Sequence, residues 1–278
     1  MVTDDSQSRL KHTAIEYFRT HSSLYTERYS VAAAGDVLWP RHRALLRMVL
    51  DMKLPRSARF LDLGCGPGFL GVDLARLGYR GLGLDAAPAM IQRCTAQAAA
   101  VSPQWRYQLG DVEALPFRSA SFDVVICAGV IEYLPTDVLL LQEVARVLKP
   151  SGRFLLCVTN RYGYTVSLNS VVHRVKQVPG VLAVASALRA YLVGGCHGAV
   201  GFTFLPRKHQ PSAMRSAVIE HGFRIWRDRF VQFSLLPAPF CALMSRLGRR
   251  LDERLDALDA TPLRILGSCY IVDATREA

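Results

Sequence analysis

The sequence lacks the features of several protein classes. Its apolar stretches are broken by charged residues, glycine or proline before they reach the roughly 18–20 residues that a membrane-spanning helix needs. The polar N-terminus MVTDDSQSRLKH contains no apolar segment, so we expect no secretory signal peptide. No dense basic run with interleaved aromatic residues is present, which argues against a nucleic-acid partner. These absences favour a cytoplasmic protein.

Cysteine is present without a pattern. The seven cysteines are odd in number and form no CxxC pair; they are Cys65, Cys94, Cys127, Cys157, Cys196, Cys241 and Cys269. Several lie in predicted buried strands. We therefore expect reduced thiols, with neither a disulfide framework nor a metal site.

Acidic residues are scarce in the second half of the chain. Residues 1–150 contain 17 Lys/Arg and 15 Asp/Glu, whereas residues 151–278 contain 17 and 8, so most of the net charge of +11 lies in the second half. This surplus is compatible with an ordinary solvated surface. It would also suit an anionic acceptor, an anionic membrane surface or nucleic acid.

The segment FLDLGCGPGF, from Phe60 to Phe69, is the most informative part of the chain. An apolar strand pattern runs into three alternating glycines, Gly64, Gly66 and Gly68, and a helical pattern follows at once. Glycines suit such a turn because a side chain would keep a ligand away from the backbone and because tight turns need positive φ angles. The pattern therefore predicts a nucleotide-binding crevice, with the N–H groups of the helix start available to the ligand.

Further strand ends follow in the order that such a crevice requires. Asp85 ends the second apolar run about 20 residues after the glycine turn, where a carboxylate can accept hydrogen bonds from both ribose hydroxyls. Asp111 ends the third strand, and the fourth strand opens into a loop at Ala128 and Gly129. A Pro-Gly turn at 150–152 precedes the fifth strand.

Together, these segments resemble the class I S-adenosylmethionine-dependent methyltransferases, and most closely the branch that methylates small molecules. The resemblance covers residues 60–158. The GxGxG spacing after Asp62 is the one that these methyltransferases use, whereas a dinucleotide fingerprint needs a glycine where this chain has Phe69. The resemblance implies S-adenosylmethionine as the cofactor.

The order of strand and helix patterns predicts an α/β fold. Strands are expected near 59–63, 80–84, 104–108, 122–126, 153–158, 224–231 and 266–272, and helices near 8–20, 41–53, 69–78, 88–99, 137–148 and 211–219. Such alternation produces a Rossmann-like, mostly parallel sheet of seven strands with helices on both faces. The resemblance implies that the last strand is antiparallel.

We expect one domain over residues 1–278. Residues 1–55 would form N-terminal helices and residues 56–159 the cofactor-binding core. Residues 160–209 and 232–264 do not belong to a minimal sheet and follow the carboxyl ends of strands, so they are expected to be helical lid insertions that build the acceptor pocket. They are apolar and basic, which also allows contact with a membrane surface.

The resemblance implies a set of cofactor-binding residues: Tyr25, Asp62, Gly64, Cys65, Gly66, Gly68, Asp85, Asp111, Val112, Ala128 and Gly129. Asp85 would bind the ribose, Asp111 the adenine, and Asp62 the amino group of the methionine portion. Each has an alternative structural role: Asp62 could cap the glycine turn, Asp111 could form an Asx turn, and Tyr25 could anchor a surface helix. Cys65 is expected to be a small apolar filler.

A general base is harder to identify. Many members of the family carry Glu-His where this chain has Glu132-Tyr133, so a histidine-based mechanism at that position is in doubt. His209 and His173 are the candidate bases, because a neutral imidazole could take a proton from a phenol or hydroxyl. Each could instead be a solvated or structural histidine. His21 and Tyr133 could also line the pocket.

The resemblance implies methyl transfer to a small, hydrophobic or lipid-like acceptor, with oxygen ranked before nitrogen and carbon. A non-catalytic protein that uses the same fold for binding or as a scaffold remains an alternative. A methyltransferase acting on RNA or protein is another. The chain has CAGVIEY where enzymes acting on nucleobase amines usually carry an NPPY-type tetrapeptide. We expect a cytoplasmic location, with peripheral contact at the inner membrane face as an option.

Overall fold

All seven strands of the fold join one sheet. The computed structural model describes residues 4–27, 29, 38–99, 104–168, 204–233 and 255–277. In chain order, the strands are β1 (Arg59–Leu63), β2 (Arg80–Asp85), β3 (Trp105–Leu109), β4 (Phe122–Ala128), β5 (Leu148–Thr159), β6 (Phe223–Val231) and β7 (Cys269–Arg276). Their order across the sheet is β3-β2-β1-β4-β5-β7-β6.

The sheet is parallel except at one strand. β1 pairs in parallel with β2 and with β4. β2 also pairs in parallel with β3, and β4 pairs in parallel with β5. β7 runs antiparallel to both of its neighbours, β5 and β6. The predicted Rossmann-like α/β class and the antiparallel last strand are therefore confirmed.

Helices cover both faces of this sheet because the strands are apolar on both sides. The described helices are α1 (Asp4–Thr20), α2 (Ser22–Glu27), α3 (Leu38–Asp51), α4 (Phe69–Arg76), α5 (Pro88–Ala99), α6 (Val138–Val147) and α7 (Pro211–Glu220). Successive residues of β1 enter different cores: Phe60 packs with α3 and α4, whereas Leu61 packs with α6 and α7. This two-sided burial is typical of parallel sheets.

Two strands, β5 and β7, differ from their predicted bounds by three residues or more. β5 begins at Leu148, before the turn predicted at 150–152, because the strand continues through an irregular stretch in which Ser151 has a φ of 62°. β7 begins at Cys269 and continues to Arg276, because the apolar residues 263–266 form a 3₁₀ helix, Pro262–Leu266, instead of a strand.

The carboxyl ends of β1, β2 and β4 meet at one edge of the sheet, where the order of strands reverses on either side of β1. Open α/β sheets bind ligands at such an edge. Most of the two predicted lid insertions, and His173 with them, lie outside the described residues. Within the described residues, no helix is both long and apolar enough to span a bilayer.

Candidate functional site

An open crevice of about 740 Å³ lies at this edge of the sheet. Nine of the eleven predicted cofactor residues line it: Tyr25, Gly64, Cys65, Gly66, Asp85, Asp111, Val112, Ala128 and Gly129. Asp62 and Gly68 lie behind this surface.

The glycine turn has the backbone that only glycine adopts readily. Gly64, Gly66 and Gly68 have φ angles of 63°, 52° and 85°. A Cβ on Gly64 would lie 2.1 Å from Cγ2 of Val130, so any side chain would displace the loop after β4. The turn is fastened to β2, because the N–H groups of Gly64 and Cys65 donate to the carbonyl of Leu84.

Asp85 fixes the shape of the turn from the end of β2. Its Oδ2 accepts the N–H of Gly66 at 2.9 Å, and its Oδ1 accepts the N–H of Ala87 at 2.9 Å. Burial raises the pKa of the carboxyl, although these two N–H groups and that of Ala86 oppose the shift. A carboxylate has about four acceptor positions, so Asp85 keeps capacity to accept a hydrogen bond from a ligand.

Asp62 is a buried carboxyl without a donor. Its side chain is 4% exposed, and within the described part of the chain no group donates a hydrogen bond to it. Burial and the nearby charge of Asp85 raise the pKa of Asp62 to about 7, while Arg41 opposes the shift. A cationic ligand group would favour the ionised form of this side chain.

Asp111 forms the predicted Asx turn and also lines the crevice. Its Oδ1 accepts the N–H of Glu113 at 3.0 Å, which is an Asx turn, and the same carboxylate lines the crevice. Lys11 of α1 donates to Oδ1 at 2.8 Å and to Oδ2 at 2.7 Å, and it also contacts Glu113. Burial alone would lower the pKa of Lys11, but the hydrogen bonds to these two carboxylates outweigh burial and raise it.

Arg41 is a lining residue that the sequence did not reveal. It lies on the buried face of α3 with Leu45 and Met48, and its Nη1 lies 2.2 Å from the place that a Cβ on Gly129 would occupy. Its guanidinium hydrogen-bonds Tyr29, whose pKa is raised by burial against the effect of this bond. No carboxylate of the described residues forms an ion pair with Arg41.

A buried guanidinium without a counter-ion needs an anion to offset its desolvation. The sequence does contain one indication that Arg41 is buried. Arg41 shares a helix face with Leu45 and Met48, which are both apolar. An arginine on the core-facing stripe of a helix is rare unless it is paired. Lys11, Phe18 and Met90 are further lining residues that the sequence reasoning missed.

Aromatic rings cover the glycine turn. A Cβ on Gly66 would lie 3.7 Å from Cε1 of Tyr25 and would otherwise enter open space. Phe18 packs edge-on against Tyr25 at 5.1 Å and against Tyr133 at 5.4 Å, and all three rings line the crevice. Tyr25 therefore lies over the glycine turn.

His209, one of the two candidate bases, does not reach this crevice. His209 is buried, its Nε2 lies 3.2 Å from Oδ1 of Asp137, and its Nδ1 has no partner among the described groups. It does not line the crevice. Glu132 is also buried, and its Oε1 accepts the N–H and the hydroxyl of Thr159 at 2.7 and 2.9 Å, which ties the loop after β4 to β5. His173 lies outside the described residues.

The arrangement fits S-adenosylmethionine. Three glycines leave the backbone accessible, the Asp85 carboxylate has acceptor capacity for a ribose, and Arg41 offers a buried positive charge to a carboxylate. Apolar Val112 and Met90 lie with Asp111 at the other end, as a heteroaromatic base with an exocyclic amine requires.

Comparisons with known proteins agree with this geometry. A family model described as "Methyltransferase domain" matches residues 61–156. The Ubiquinone biosynthesis O-methyltransferase of Xanthomonas oryzae pv. oryzae (strain PXO99A) is 36% identical over 106 residues, which are 38% of this chain and 44% of that protein. The chain thus spans less than half the length of the curated relatives it matches.

Solved structures share the fold over most of their length. The chain that binds the Trm112 methyltransferase activator in a complex from Haloferax volcanii has a TM-score of 0.61 and 19% identity, covering 94% of this chain and 98% of that one. A SAM-dependent methyltransferase of Thermotoga maritima has a TM-score of 0.59 and 16% identity, covering 96% and 100%. Residues 61–156 thus match a methyltransferase-domain family, and the chain shares the fold of these solved structures.

Proposed function

We propose that the chain transfers the methyl group of S-adenosylmethionine to a small, hydrophobic or lipid-like acceptor, with oxygen as the accepting atom. The observation that carries this proposal is the convergence of the Asp85 carboxylate, the open glycine turn and the buried Arg41 on one crevice. The 36% identical relative is named as an O-methyltransferase, which supports the choice of oxygen.

When bound, the cofactor supplies an electrophilic methyl group on a sulfonium. The protein's part is to bind, orient and exclude water. Asp85 would accept the ribose hydroxyls, Asp111 the adenine amine, and Arg41 would donate to the carboxylate of the methionine portion. The carbonyl of Ala128 would accept the ammonium, and Tyr25 would cover the turn above Gly66.

Two alternatives make different predictions. A scaffold protein of this fold would bind the cofactor and its demethylated product but would release none of the product with any acceptor. A methyltransferase acting on RNA would bind nucleic acid in a salt-sensitive manner. Peripheral contact of the lid insertions with a membrane is part of the proposal for a lipid-like acceptor and would appear as co-sedimentation with anionic vesicles.

The first test concerns the cofactor site. We expect the purified protein to bind S-adenosylhomocysteine saturably, and Asp85→Asn to weaken the binding at least tenfold because hydrogen bonds to a charged acceptor contribute about 1.5–3 kcal/mol each. Isothermal titration calorimetry measures both affinities. Asp51→Asn, which changes an exposed carboxylate on α3 away from the crevice, is the matched control.

The results of these measurements test the role of Asp85, cofactor binding and methyl transfer separately. Equal affinities for wild type and Asp85→Asn would remove the role given to Asp85. No saturable binding by the folded wild type would remove the proposed function as a whole. Binding without release of S-adenosylhomocysteine from S-adenosylmethionine, over a panel of hydroxyl and amine acceptors, would favour the scaffold.

A further inference from the structure

A second hollow lies at the amino ends of the strands, on the edge of the sheet opposite the crevice. It is open to solvent, has a volume of about 890 Å³, and is called the basic hollow below. Three of the described residues that line it are arginines, and none is a carboxylate. The described lining residues are Arg56, Ser57, Gly78, Arg80, Gln104 and Arg106.

The basic hollow is well separated from the cofactor crevice. Arg80 begins β2 and Asp85 ends it, so the two sites lie at opposite ends of the same strand. Five residue steps along a strand rise about 17 Å. A ligand in the basic hollow therefore does not touch the residues that line the crevice.

The strand register brings the arginines together. Arg59 pairs with Arg80, and Leu82 pairs with Arg106, in two parallel ladders. Because side chains alternate along a strand, Arg80 and Leu82 lie on the same face, and Arg59, Arg80 and Arg106 therefore share one face of the sheet. Neighbouring strands are about 4.8 Å apart, so like charges lie side by side, which is unfavourable without a counter-ion.

Two of the guanidinium groups are held in place by backbone carbonyls. Nε and Nη2 of Arg80 donate to the carbonyl of Ser57 at 3.2 and 3.0 Å. Nη1 of Arg56 donates to the carbonyl of Leu77, and its guanidinium lies over the ring of Tyr79, 4.7 Å from the centroid. A carbonyl or a ring orients a guanidinium but leaves its full positive charge in place.

The third guanidinium, that of Arg106, has no hydrogen-bond partner among the described groups. In the part of the chain that the structure describes, no carboxylate forms an ion pair with Arg56, Arg80 or Arg106. A guanidinium has about five N–H donors, of which Arg80 uses two and Arg56 one. The basic hollow thus combines three uncompensated charges with many unused donors.

This combination fits phosphate. The planar fork of a guanidinium matches the oxygens of a phosphate group and binds them through paired N–H donors. No large apolar side chain and no aromatic ring is among the described lining residues. The lining therefore offers neither a stacking surface for the bases of a single-stranded nucleic acid nor an apolar contact for a bilayer.

From this arrangement we propose that the basic hollow binds a small, soluble compound with two linked phosphate groups. A single phosphate ester carries about −1.5 to −2 charges at pH 7, which leaves part of the three positive charges unbalanced. Two linked phosphates balance them. The site is separate from the cofactor crevice, and the inference does not depend on the proposed methyl transfer.

Inorganic pyrophosphate is the probe for the test, in metal-free buffer at about 50 mM salt. Calorimetry on the full-length protein should show saturable binding at one site, and inorganic phosphate should bind about tenfold or more weakly. Saturating S-adenosylhomocysteine should change the pyrophosphate affinity less than about twofold. Higher salt should weaken the binding, because the arginines are exposed.

Two variants remove single charges from the basic hollow. Arg106→Gln and Arg80→Gln should each weaken pyrophosphate binding about tenfold or more, because each loses a charged donor group. Arg106 has no hydrogen bond to lose, so its replacement should leave the thermal midpoint unchanged. Arg118→Gln removes an exposed arginine outside the basic hollow and is the matched control, with an expected change of less than about twofold.

Four results would overturn the inference. No saturable binding up to about 1 mM pyrophosphate would remove the site, since even a weak specific ligand binds in that range. Displacement of pyrophosphate by S-adenosylhomocysteine would place it in the crevice, beside Arg41. Equal losses in all three variants would mean attraction by net charge alone. Tighter binding to vesicles with phosphatidic acid, or to a single-stranded oligonucleotide, with the same losses in Arg80→Gln and Arg106→Gln, would make the hollow part of a membrane or nucleic-acid surface.

Discussion

Single buried charges determine what the crevice can bind. Without a ligand, Asp62 has no hydrogen-bond donor and Arg41 has no ion-pair partner among the described residues. Both groups pay a desolvation penalty in the free protein. A zwitterion that presents an ammonium to one and a carboxylate to the other offsets both penalties, so ligand binding and side-chain ionisation are coupled.

This coupling predicts a pH dependence of cofactor affinity. Burial raises the pKa of Asp62 to about 7, so at pH 6 most molecules hold a proton on this carboxyl. Binding of an ammonium requires the ionised form. The affinity for S-adenosylhomocysteine, measured by calorimetry, should therefore fall roughly tenfold between pH 8 and pH 6.

Asp62→Asn provides the control for this prediction, because an amide does not titrate. Its affinity should be lower at pH 8 and should show a flatter profile. An equally steep profile in Asp62→Asn would assign the titration to another group. The folding stability of the ligand-free protein should change with pH in the opposite direction to the affinity. Protonation of Asp62 favours the folded state, so its contribution to stability is complete below about pH 4 and is lost as the pH rises through about 7.

At the scale of elements, α1 is the cover of the crevice. Lys11, Ala14, Ile15 and Phe18 line it, and their spacing of three, one and three residues places them on one helix face. The bonds from Lys11 to Asp111 and Glu113 fasten this face to the loop after β3. The ion pair is only partly buried, so salt should weaken it.

We predict that Lys11→Met loosens this cover. Dissociation of S-adenosylhomocysteine, followed by stopped flow, should become several-fold faster, and amide hydrogens of α1 should exchange faster. Lys11→Arg keeps the charge and should stay within about twofold of wild type. Faster exchange in α1 with an unchanged dissociation rate would show that the helix does not retain the ligand.

Element boundaries show what local sequence could and could not predict. β1 was predicted with its observed bounds because its apolar residues Phe60, Leu61 and Leu63 lead directly into a glycine turn. The end of β7 was missed because Asp273 interrupts the apolar pattern. That carboxylate is fully buried, and Arg153 of β5 and Arg227 of β6 pair with it. Its partners are more than forty residues away, so no local pattern contains them.

At the scale of the whole molecule, the site residues also divide into those that local sequence predicts and those that depend on long-range packing. Residues at strand ends were predictable, because parallel strands bring their carboxyl ends to one edge whatever their separation in sequence. Arg41 and Lys11 were not, because they reach the crevice from helices that precede the sheet, and their positions depend on tertiary packing. Their contacts with a ligand, like those of the predicted residues, stay a prediction.

The sheet also anchors both ends of the first predicted insertion, residues 160–209. Asn160 pairs with His209 in a short parallel bridge, and its amide donates to the carbonyls of Ile265 and Gly267 at 2.7 Å each. The N–H of Arg207 donates to the carbonyl of Glu132 at 2.9 Å. Residues 160–168 and 204–209 therefore belong to the framework of the sheet.

We therefore predict different effects for two deletions in the first insertion. Replacing residues 169–203 with a flexible Gly/Ser linker of about 12 residues should leave S-adenosylhomocysteine affinity within about threefold of wild type. Methyl transfer should fall more than about a hundredfold, because the acceptor would lose its enclosure while the cofactor crevice keeps its lining. Calorimetry and release of S-adenosylhomocysteine measure the two effects on the same preparation.

Removing residues 160–209 instead should lower the thermal midpoint as well, since it deletes Asn160 and leaves the carbonyls of Ile265 and Gly267 without their donor. Comparing the two variants shows whether residues 169–203 only enclose the acceptor or also stabilise the fold. Loss of cofactor affinity in the shorter replacement, with an unchanged thermal midpoint, would mean that residues 169–203 contribute to the cofactor site. Full methyl transfer in that variant would mean that the acceptor pocket does not need residues 169–203.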